Sequence, residues 1–308
     1  MRVAVAGASG TIGLAVVREC MARGYAVTAL VRTEAAEKLP ELEGAETRVV
    51  DLSDPAAVVL ALGEAKPASV ISCIASRSGS PKDAKAVDLD ANLNLLAAAG
   101  ACDAEHFILL SAICVQRPRL AFQRAKLAFE AALAKADIAH TIIRPTAFFK
   151  SLSGQVARVR DGKPFLLFGD GKLTRCKPIS DADLARFIVD SVGNAERYGK
   201  VLPIGGPGPA ISLREQGEML FELAGKPPRF RSISPRLFMA ASRVLSLGAP
   251  FSKWFAEKAE YARIAHYYAT QSMLVLDEET GEYDADATPE YGEDTLRDHY
   301  RAMLATGS

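Results

Sequence analysis

The chain has 308 residues, of which 49% are hydrophobic and 24% are charged, and it carries 37 basic and 37 acidic residues, so its formal net charge is zero. This length and composition predict a globular protein with one large α/β domain and an added lobe. The balanced charge, without a basic block, argues against nucleic acid as a main partner. Five scattered cysteines without a CxxC pair predict reduced thiols and no metal site.

The first residues form a strand-like run that leads directly into a glycine turn. This leaves no room for a signal peptide, so we expect a cytoplasmic protein. No run reaches the ~18 apolar residues of a membrane-spanning helix. The longest apolar segment, residues 237–251, is interrupted by Arg243 and Gly248.

Short apolar or β-branched runs alternate with helical patterns through the first half of the chain, which is typical of βαβ units. The patterns predict strands at residues 2–6, 26–31, 47–50, 69–74, 106–110 and 141–143. They predict helices at residues 11–23, 55–63, 84–100 and 122–135. We therefore predict an α/β fold with a doubly wound parallel sheet of the Rossmann type, which binds ligands at the carboxyl ends of its strands.

After residue 145 the alternation of strands and helices breaks down. Ser180 and Asp183 suggest a capping box for a helix to residue 192, and a strand at 200–204 is placed to return to the sheet. Later helical patterns cover residues 212–223, 237–247 and 254–268. We expect residues 1–146, joined by 179–204, to form an NADP-binding domain, and residues 147–178 and 205–308 to form a smaller substrate lobe.

The first strand is followed by a GxxGxxG turn that opens the first helix. Glycines let the backbone turn sharply and approach a pyrophosphate, whose charge is met by amides at the start of the helix. The alternative is a tight turn without a ligand, but three glycines in this strand–helix context exceed what a turn needs. The predicted cofactor-binding residues of this turn are Gly7, Ser9, Gly10, Thr11, Ile12 and Gly13.

Arg32 ends the second strand where an NAD-specific protein would carry an acidic residue. An arginine suits a 2′-phosphate, so NADPH is predicted as the cofactor, unless Arg32 is only a solvated surface residue. Asp51 and Leu52 are expected at the adenine, although Asp51 is also placed to cap the next helix. Further cofactor contacts are predicted after the fourth and sixth strands, at Cys73, Ala75, Pro145 and Thr146.

Ser111 ends the fifth strand, where the nicotinamide is expected, and Lys126 follows on the next helix. An ammonium group there can hold the nicotinamide ribose, so Lys126 is predicted as cofactor-binding. Lys126 and Ser111 are both predicted as catalytic. A short-chain dehydrogenase normally has a tyrosine four residues before this lysine. Phe122 stands in that place here.

Several longer strings around these residues are more specific than the glycine motif. The strings are Ser111–Gln116, Phe122–Leu127, Ile143–Leu152, Phe168–Lys172, Cys176–Ser180 and Ser272–Asp277. In these strings the sequence resembles the divinyl chlorophyllide 8-vinyl reductases, an atypical branch of the short-chain dehydrogenases, and the resemblance covers nearly the whole chain.

The resemblance implies that NADPH reduces the 8-vinyl group of a chlorophyll precursor to ethyl. Hydride added to the terminal vinyl carbon leaves negative charge that the conjugated macrocycle can delocalise, so no carbonyl oxygen needs protonation by a phenol. A proton is still required at carbon, and its source is left open between water, Lys126, Ser111 and Cys114.

A flat tetrapyrrole substrate suits an apolar, aromatic pocket. Phe122, Phe148 and Phe149 are therefore predicted as substrate-binding, and Lys150 is predicted to pair with a propionate, although adjacent phenylalanines often pack in a core. The hydrophobic substrate and the apolar segment at 237–251 also suggest peripheral contact with the inner or photosynthetic membrane.

Two other classes of protein remain open at this point. A non-catalytic NADP-sensing regulator of the NmrA type, or an assembly protein on the same fold, would bind the cofactor without oxidising it. A nucleotide-sugar epimerase is disfavoured, because its chemistry takes a proton from a hydroxyl and needs the missing tyrosine.

Overall fold

The computed structural model describes residues 1–37, 39–248 and 252–306. Its main sheet has seven strands in the order β3-β2-β1-β4-β5-β6-β9. The strands are β1 (Arg2–Ala6), β2 (Ala26–Val31), β3 (Glu46–Val49), β4 (Ser69–Ser72), β5 (His106–Leu110), β6 (Ala139–Pro145) and β9 (Lys200–Ile204). The pairs from β3 through β6 are parallel. The order reverses direction at β1 and β4, which confirms the predicted doubly wound sheet.

The central strands are largely buried because helices cover both faces of such a sheet. β4 and β5 are buried at every residue. The helices and short helical turns between the strands are α1 (Thr11–Ala22), α2 (Glu34–Glu37), α3 (Pro55–Ala65), α4 (Pro81–Asp83), α5 (Asn92–Ala101), α6 (Ala121–Leu133) and α9 (Asp181–Val189). One core cluster joins α3, α5 and α6 to the sheet through residues such as Leu62, Leu95 and Phe129.

The predicted helix at residues 84–100 is helical throughout, but its first part is not an α-helix. Residues Ala84–Ala91 form a π-helix between α4 and α5. The Asn92 side-chain amide donates to the carbonyl oxygens of Val87 at 3.3 Å and Asp88 at 3.1 Å. A side chain that enters the backbone ladder disturbs the α-helical pattern, and this accounts for the change of helix type.

The chain divides into two compact units, Met1–Arg144 with Leu184–Leu202, and Pro145–Asp183 with Pro203–Ser308. The chain passes from the second unit to the first within helix α9, between Asp183 and Leu184. It is capped by Ser180, whose Oγ accepts from the Asp183 amide at 2.9 Å, and it ends at Val189 rather than at the predicted residue 192.

The second unit contains short strands and several helices. The strands are β7 (Phe165–Phe168), β8 (Arg175–Cys176), β10 (Ile211–Ser212), β11 (Phe230–Ile233), β12 (Val275–Leu276) and β13 (Tyr283–Asp284). The helices are α7 (Phe149–Leu152), α8 (Val156–Arg160), α10 (Leu213–Leu223), α11 (Arg236–Gly248), α12 (Lys253–Thr270) and α13 (Leu296–Thr306). Phe149, Phe165, Phe221 and Tyr300 form the centre of its core.

The apolar segment predicted at residues 237–251 is helical as far as Gly248, and residues 249–251 lie outside the described residues. Within the described part of the chain, no helix combines the length and apolarity needed to cross a bilayer.

Candidate functional site

The glycine turn between β1 and α1 has the geometry of a phosphate-binding loop. Gly7 has φ +77°, a conformation that favours glycine, and a Cβ there would lie 2.9 Å from the carbonyl oxygen of Cys73. A Cβ on Gly13 would collide with the carbonyl oxygen of Gly7. The turn therefore requires glycine at both positions.

The start of α1 is open to an anion. Its N-cap is Gly10, which has no side chain to occupy the first amides of the helix. Ser9 and Gly10 are exposed, Thr11 is half-buried, and Ile12 points into the core. The amides at the start of a 12-residue helix bind phosphate well, so these residues fit the pyrophosphate of a dinucleotide.

The neighbouring strand ends hold the other residues predicted to bind the cofactor. Arg32 is exposed just after β2. Asp51 is exposed after β3, and its Oδ1 accepts from the amide and hydroxyl of Ser53 at 2.9 and 2.7 Å, which holds the pKa of Asp51 below its usual value. The alternative role of Asp51 as a helix cap is wrong, because Asp54 is the N-cap of α3.

Leu52 packs against the core beside these residues, and its carbonyl oxygen accepts from the Asn94 side chain at 2.9 Å. After β4, Cys73 is half-buried and Ala75 is exposed. Burial raises the pKa of the Cys73 thiol to about 12, so Cys73 is protonated at neutral pH. The contribution of this segment to a cofactor site is therefore its backbone and shape.

Lys126 forms a buried ion pair with Asp88, a residue of the π-helix. Lys126 Nζ lies 3.1 Å from Asp88 Oδ1, and the side chains are 9% and 0% exposed. The amide of Ser76, in the segment after β4, also donates to Asp88 Oδ1 at 3.3 Å. Asp88 Oδ2 is buried without a hydrogen-bond partner in the described part of the chain. This carboxylate therefore ties α6 to the loop that follows β4.

Ser111 follows β5 and belongs to a second buried polar group, together with Glu130 of α6. Its hydroxyl donates to the carboxylate of Glu130, which also forms an ion pair with Arg144. Glu130 follows Lys126 by one helical turn, so α6 presents both charged side chains to buried partners. In this arrangement the hydroxyl hydrogen of Ser111 is used in the hydrogen bond to Glu130.

Phe122 is half-buried in the first turn of α6. The next residue, Gln123, is fully buried, and its side-chain oxygen accepts from the amides of Arg119 and Leu120 at 2.8 and 2.9 Å. Its side-chain nitrogen donates to the Cys114 carbonyl oxygen at 2.9 Å. Gln123 therefore fixes the start of the helix that carries Lys126.

The remaining predicted residues lie in the second unit. Pro145 is buried, and the Thr146 hydroxyl donates to the carbonyl oxygen of Lys177. Phe149 is 4% exposed and packs beside His299, with ring centroids 5.2 Å apart. Phe148 is half-buried and Lys150 is exposed, so these two have more accessible surface than Phe149.

The sequence patterns did not predict a role for three buried residues of the first unit, Asp88, Gln123 and Glu130. A signal for Asp88 was present, since it stands between Ala84 and Ala91 on the buried side of its helix, where the pattern calls for an apolar residue. The described residues contain no group of three His, Cys, Asp or Glu side chains that would hold a metal ion.

Comparison with known proteins agrees with this geometry. Residues 7–195 match a family model described as NAD(P)H-binding. A divinyl chlorophyllide a 8-vinyl-reductase of Cucumis sativus is 48% identical, covering 98% of this chain and 76% of that protein. The protein of the same name from Arabidopsis thaliana is 44% identical, covering 100% of this chain and 78% of the relative.

The chain belongs to the divinyl chlorophyllide a 8-vinyl-reductase family. It has an NAD(P)H-binding domain with the Rossmann fold. Among solved structures, the NADPH complex of an Escherichia coli quinone oxidoreductase has a TM-score of 0.72 at 19% identity, covering 98% of this chain and 99% of the other. That likeness concerns the fold.

Proposed function

We propose that this protein reduces the 8-vinyl group of divinyl chlorophyllide, or of its protochlorophyllide precursor, to ethyl with NADPH. The observation that carries the proposal is the 48% identity to a reductase of that name over nearly the whole chain. The first unit would bind the cofactor and the second would contribute to substrate binding.

Several residues support NADPH as the cofactor. The glycine turn and the uncapped start of α1 fit the pyrophosphate, and Arg32 provides an exposed guanidinium beyond β2 for a 2′-phosphate. Asp51, Leu52, Cys73, Ala75, Pro145 and Thr146 are proposed to line the rest of the site. When bound, NADPH supplies the hydride.

Lys126 is proposed to orient the nicotinamide ribose. An ammonium group has three donors, and Asp88 accepts from it on one side, so other donors remain for ribose hydroxyls. Asp88 is a positioning residue in this scheme, because it acts on the reaction through Lys126. The half-buried Phe122 is proposed to contact the flat substrate where related dehydrogenases have a phenol.

The product also needs a proton on the carbon next to the one that receives hydride. Ser111 donates its hydroxyl to Glu130 and is proposed to help position α6 in the active site. Lys126 or water is then the better candidate for the proton donor. Phe148 and Lys150 are proposed to bind the macrocycle and a propionate, while the buried Phe149 supports them from the core.

A direct assay tests the proposed reaction. Protein, divinyl chlorophyllide and NADPH deuterated at the transferred position should give a small blue shift of the Soret band and deuterium in the new ethyl group. A matched reaction with NADH should be slower, because Arg32 would then have no phosphate to bind. Tight NADPH binding without oxidation in the presence of the pigment would contradict the proposal and favour the non-catalytic regulator or assembly protein.

We also propose that the protein works in the cytoplasm and contacts a membrane peripherally. The support is chemical: the proposed substrate is a hydrophobic pigment, and the region around α11 is rich in apolar side chains.

A further inference from the structure

Helix α11 in the second unit exposes an unusual amount of apolar surface. Leu237, Val244 and Leu247 are 61%, 67% and 77% exposed. Together with Ala240 and Ala241 they recur at the three- and four-residue spacing that places side chains on one face of a helix. We call this face the outer stripe (Leu237, Ala240, Ala241, Val244 and Leu247).

The opposite face of α11 packs inward, where Phe238 and Leu245 are half-buried and the Phe238 ring centroid lies 5.5 Å from that of Phe168. Ser242 is buried, and Ser246 is half-buried and donates to the Ser242 carbonyl oxygen at 2.7 Å. Arg263 of α12 donates to the Ser246 hydroxyl at 3.2 Å. A surface helix normally has one apolar face, which it turns to the core, so the outer stripe is a second apolar face that this rule does not explain. Propensity and core packing do not explain an outer stripe of this kind, which instead indicates a partner.

Helix α12, which packs against α11, carries exposed aromatic side chains. Trp254, Tyr261 and Tyr268 are all exposed and recur every seven residues, so they share one side of the helix. Lys258 lies on this side too, with its Nζ 6.0 Å from the centre of the Trp254 ring. Tryptophan, tyrosine and lysine are side chains that favour the interface between water and lipid.

The charge of α11 and α12 indicates which kind of partner this surface binds. Helices α11 and α12 together contain five Lys or Arg and two Glu, a formal net charge of +3 in a chain whose total is zero. Arg236 and Arg243 are exposed and lie seven residues apart, along one edge of the outer stripe. A bilayer with acidic lipids has an apolar acyl-chain interior under an anionic headgroup layer. An apolar stripe flanked by arginines fits such a surface.

We propose that α11 and α12 form a docking surface for an anionic lipid bilayer, with the outer stripe inserted among the acyl chains and Arg236 and Arg243 at the headgroups. A second copy of this chain is a poorer occupant, because it would bring a like charge of +3 to the interface. The proposal does not depend on the proposed reaction, since lipid binding needs neither cofactor nor turnover.

Sedimentation with vesicles tests this surface. The full chain should bind vesicles of phosphatidylglycerol and phosphatidylcholine in equal parts and not vesicles of phosphatidylcholine alone, and its binding should fall as salt is raised. The double variant Val244→Glu/Leu247→Glu should lose at least ~10-fold in binding, and Arg236→Glu/Arg243→Glu a similar amount.

The matched control is Val59→Glu/Leu60→Glu on α3, where the same residue types are 43% and 65% exposed in the first unit. This variant should bind vesicles like the wild type, and far-UV circular dichroism should show that all variants are folded. Equal binding by the α11 variant and the control would overturn the proposal. The proposal would also be overturned if the wild-type protein did not bind acidic vesicles. A wild-type dimer, detected by light scattering and abolished by Val244→Glu/Leu247→Glu, would overturn it too.

Discussion

At the scale of single residues, the central feature is the buried pair of Lys126 and Asp88. Burying two charges away from water costs free energy unless the charges pair with each other. Removing one partner leaves a buried charge without compensation. Asp88 also keeps one oxygen without a hydrogen bond in the described part of the chain, so the arrangement is not optimised for stability. Its location in a π-helix fits a functional role, since such turns often occur at functional sites.

Asp88→Asn tests this role. Asparagine keeps the shape and an acceptor for the Ser76 amide but removes the charge that holds Lys126. We expect turnover to fall about 10- to 100-fold with weaker NADPH binding, because a misplaced Lys126 would no longer orient the ribose. Unfolding in urea should show a loss of ~3 kcal/mol, which Asp88→Asn/Lys126→Met should partly restore.

The control for this variant is Asp90→Asn on the same π-helix. Asp90 pairs with Lys85 at 2.6 Å, but both side chains are exposed. Exposed pairs contribute at most ~1 kcal/mol, so stability and turnover should stay close to those of the wild type. Normal kinetics in Asp88→Asn would refute the positioning role.

At the scale of elements, the glycine turn joins β1 to α1 with no room for a side chain at Gly7 or Gly13. The turn places the amides at the start of α1 beside the carbonyl end of β4, where Cys73 meets Gly7. Some helical glycines of the first unit leave more room for a side chain than this junction does. Gly63 of α3 is one example, since a Cβ there has no heavy atom within 4 Å.

Two alanine substitutions separate the turn from helix propensity. Gly13→Ala should lower stability by ~1–3 kcal/mol and abolish measurable NADPH binding, because its Cβ would push Gly7 out of the phosphate-binding conformation. Gly63→Ala should raise stability by ~0.5–1 kcal/mol and leave binding unchanged, since alanine favours the helix. Thermal unfolding and NADPH titration measure both, and normal binding by Gly13→Ala would exclude the turn as the phosphate site.

At the scale of the whole molecule, charge is balanced in total but distributed unevenly, and some ionisable groups are deeply buried. His106 in β5 is 1% exposed, with its Nε2 3.0 Å from the Thr141 hydroxyl and its ring centroid 4.5 Å from that of Tyr198. Burial, helped by the nearby charge of His140, lowers the pKa of His106 to about 4. The folded protein therefore keeps this histidine neutral in mild acid.

This burial predicts a loss of stability in acid. Below pH 6.5 the unfolded chain gains a proton on His106 that the folded chain does not accept until about pH 4. The resulting stability is present above pH 6.5 and is lost as pH falls toward 4, to an extent on the order of 3 kcal/mol. Urea unfolding across this range should show the slope, and His106→Gln should flatten it; an unchanged slope would show that other groups cause the loss.

The sequence alone determined the doubly wound fold, the glycine turn and the family, because these depend on local patterns. Strands and helices follow from the spacing of apolar residues, and the turn from glycines between β1 and α1. The same patterns placed Lys126 and Ser111 on neighbouring elements. The absent tyrosine at Phe122 was also visible, as it depends only on spacing from Lys126.

Only the tertiary structure decided what those residues contact. Asp88 and Lys126 are 38 positions apart, and no local pattern pairs a carboxylate in one helix with a lysine in another. The commitment of Ser111 to Glu130 and the outward face of α11 arise in the same way, because both depend on which surface each helix turns to its neighbours. Periodicity gives a helix its two faces, but packing alone decides which face meets the core.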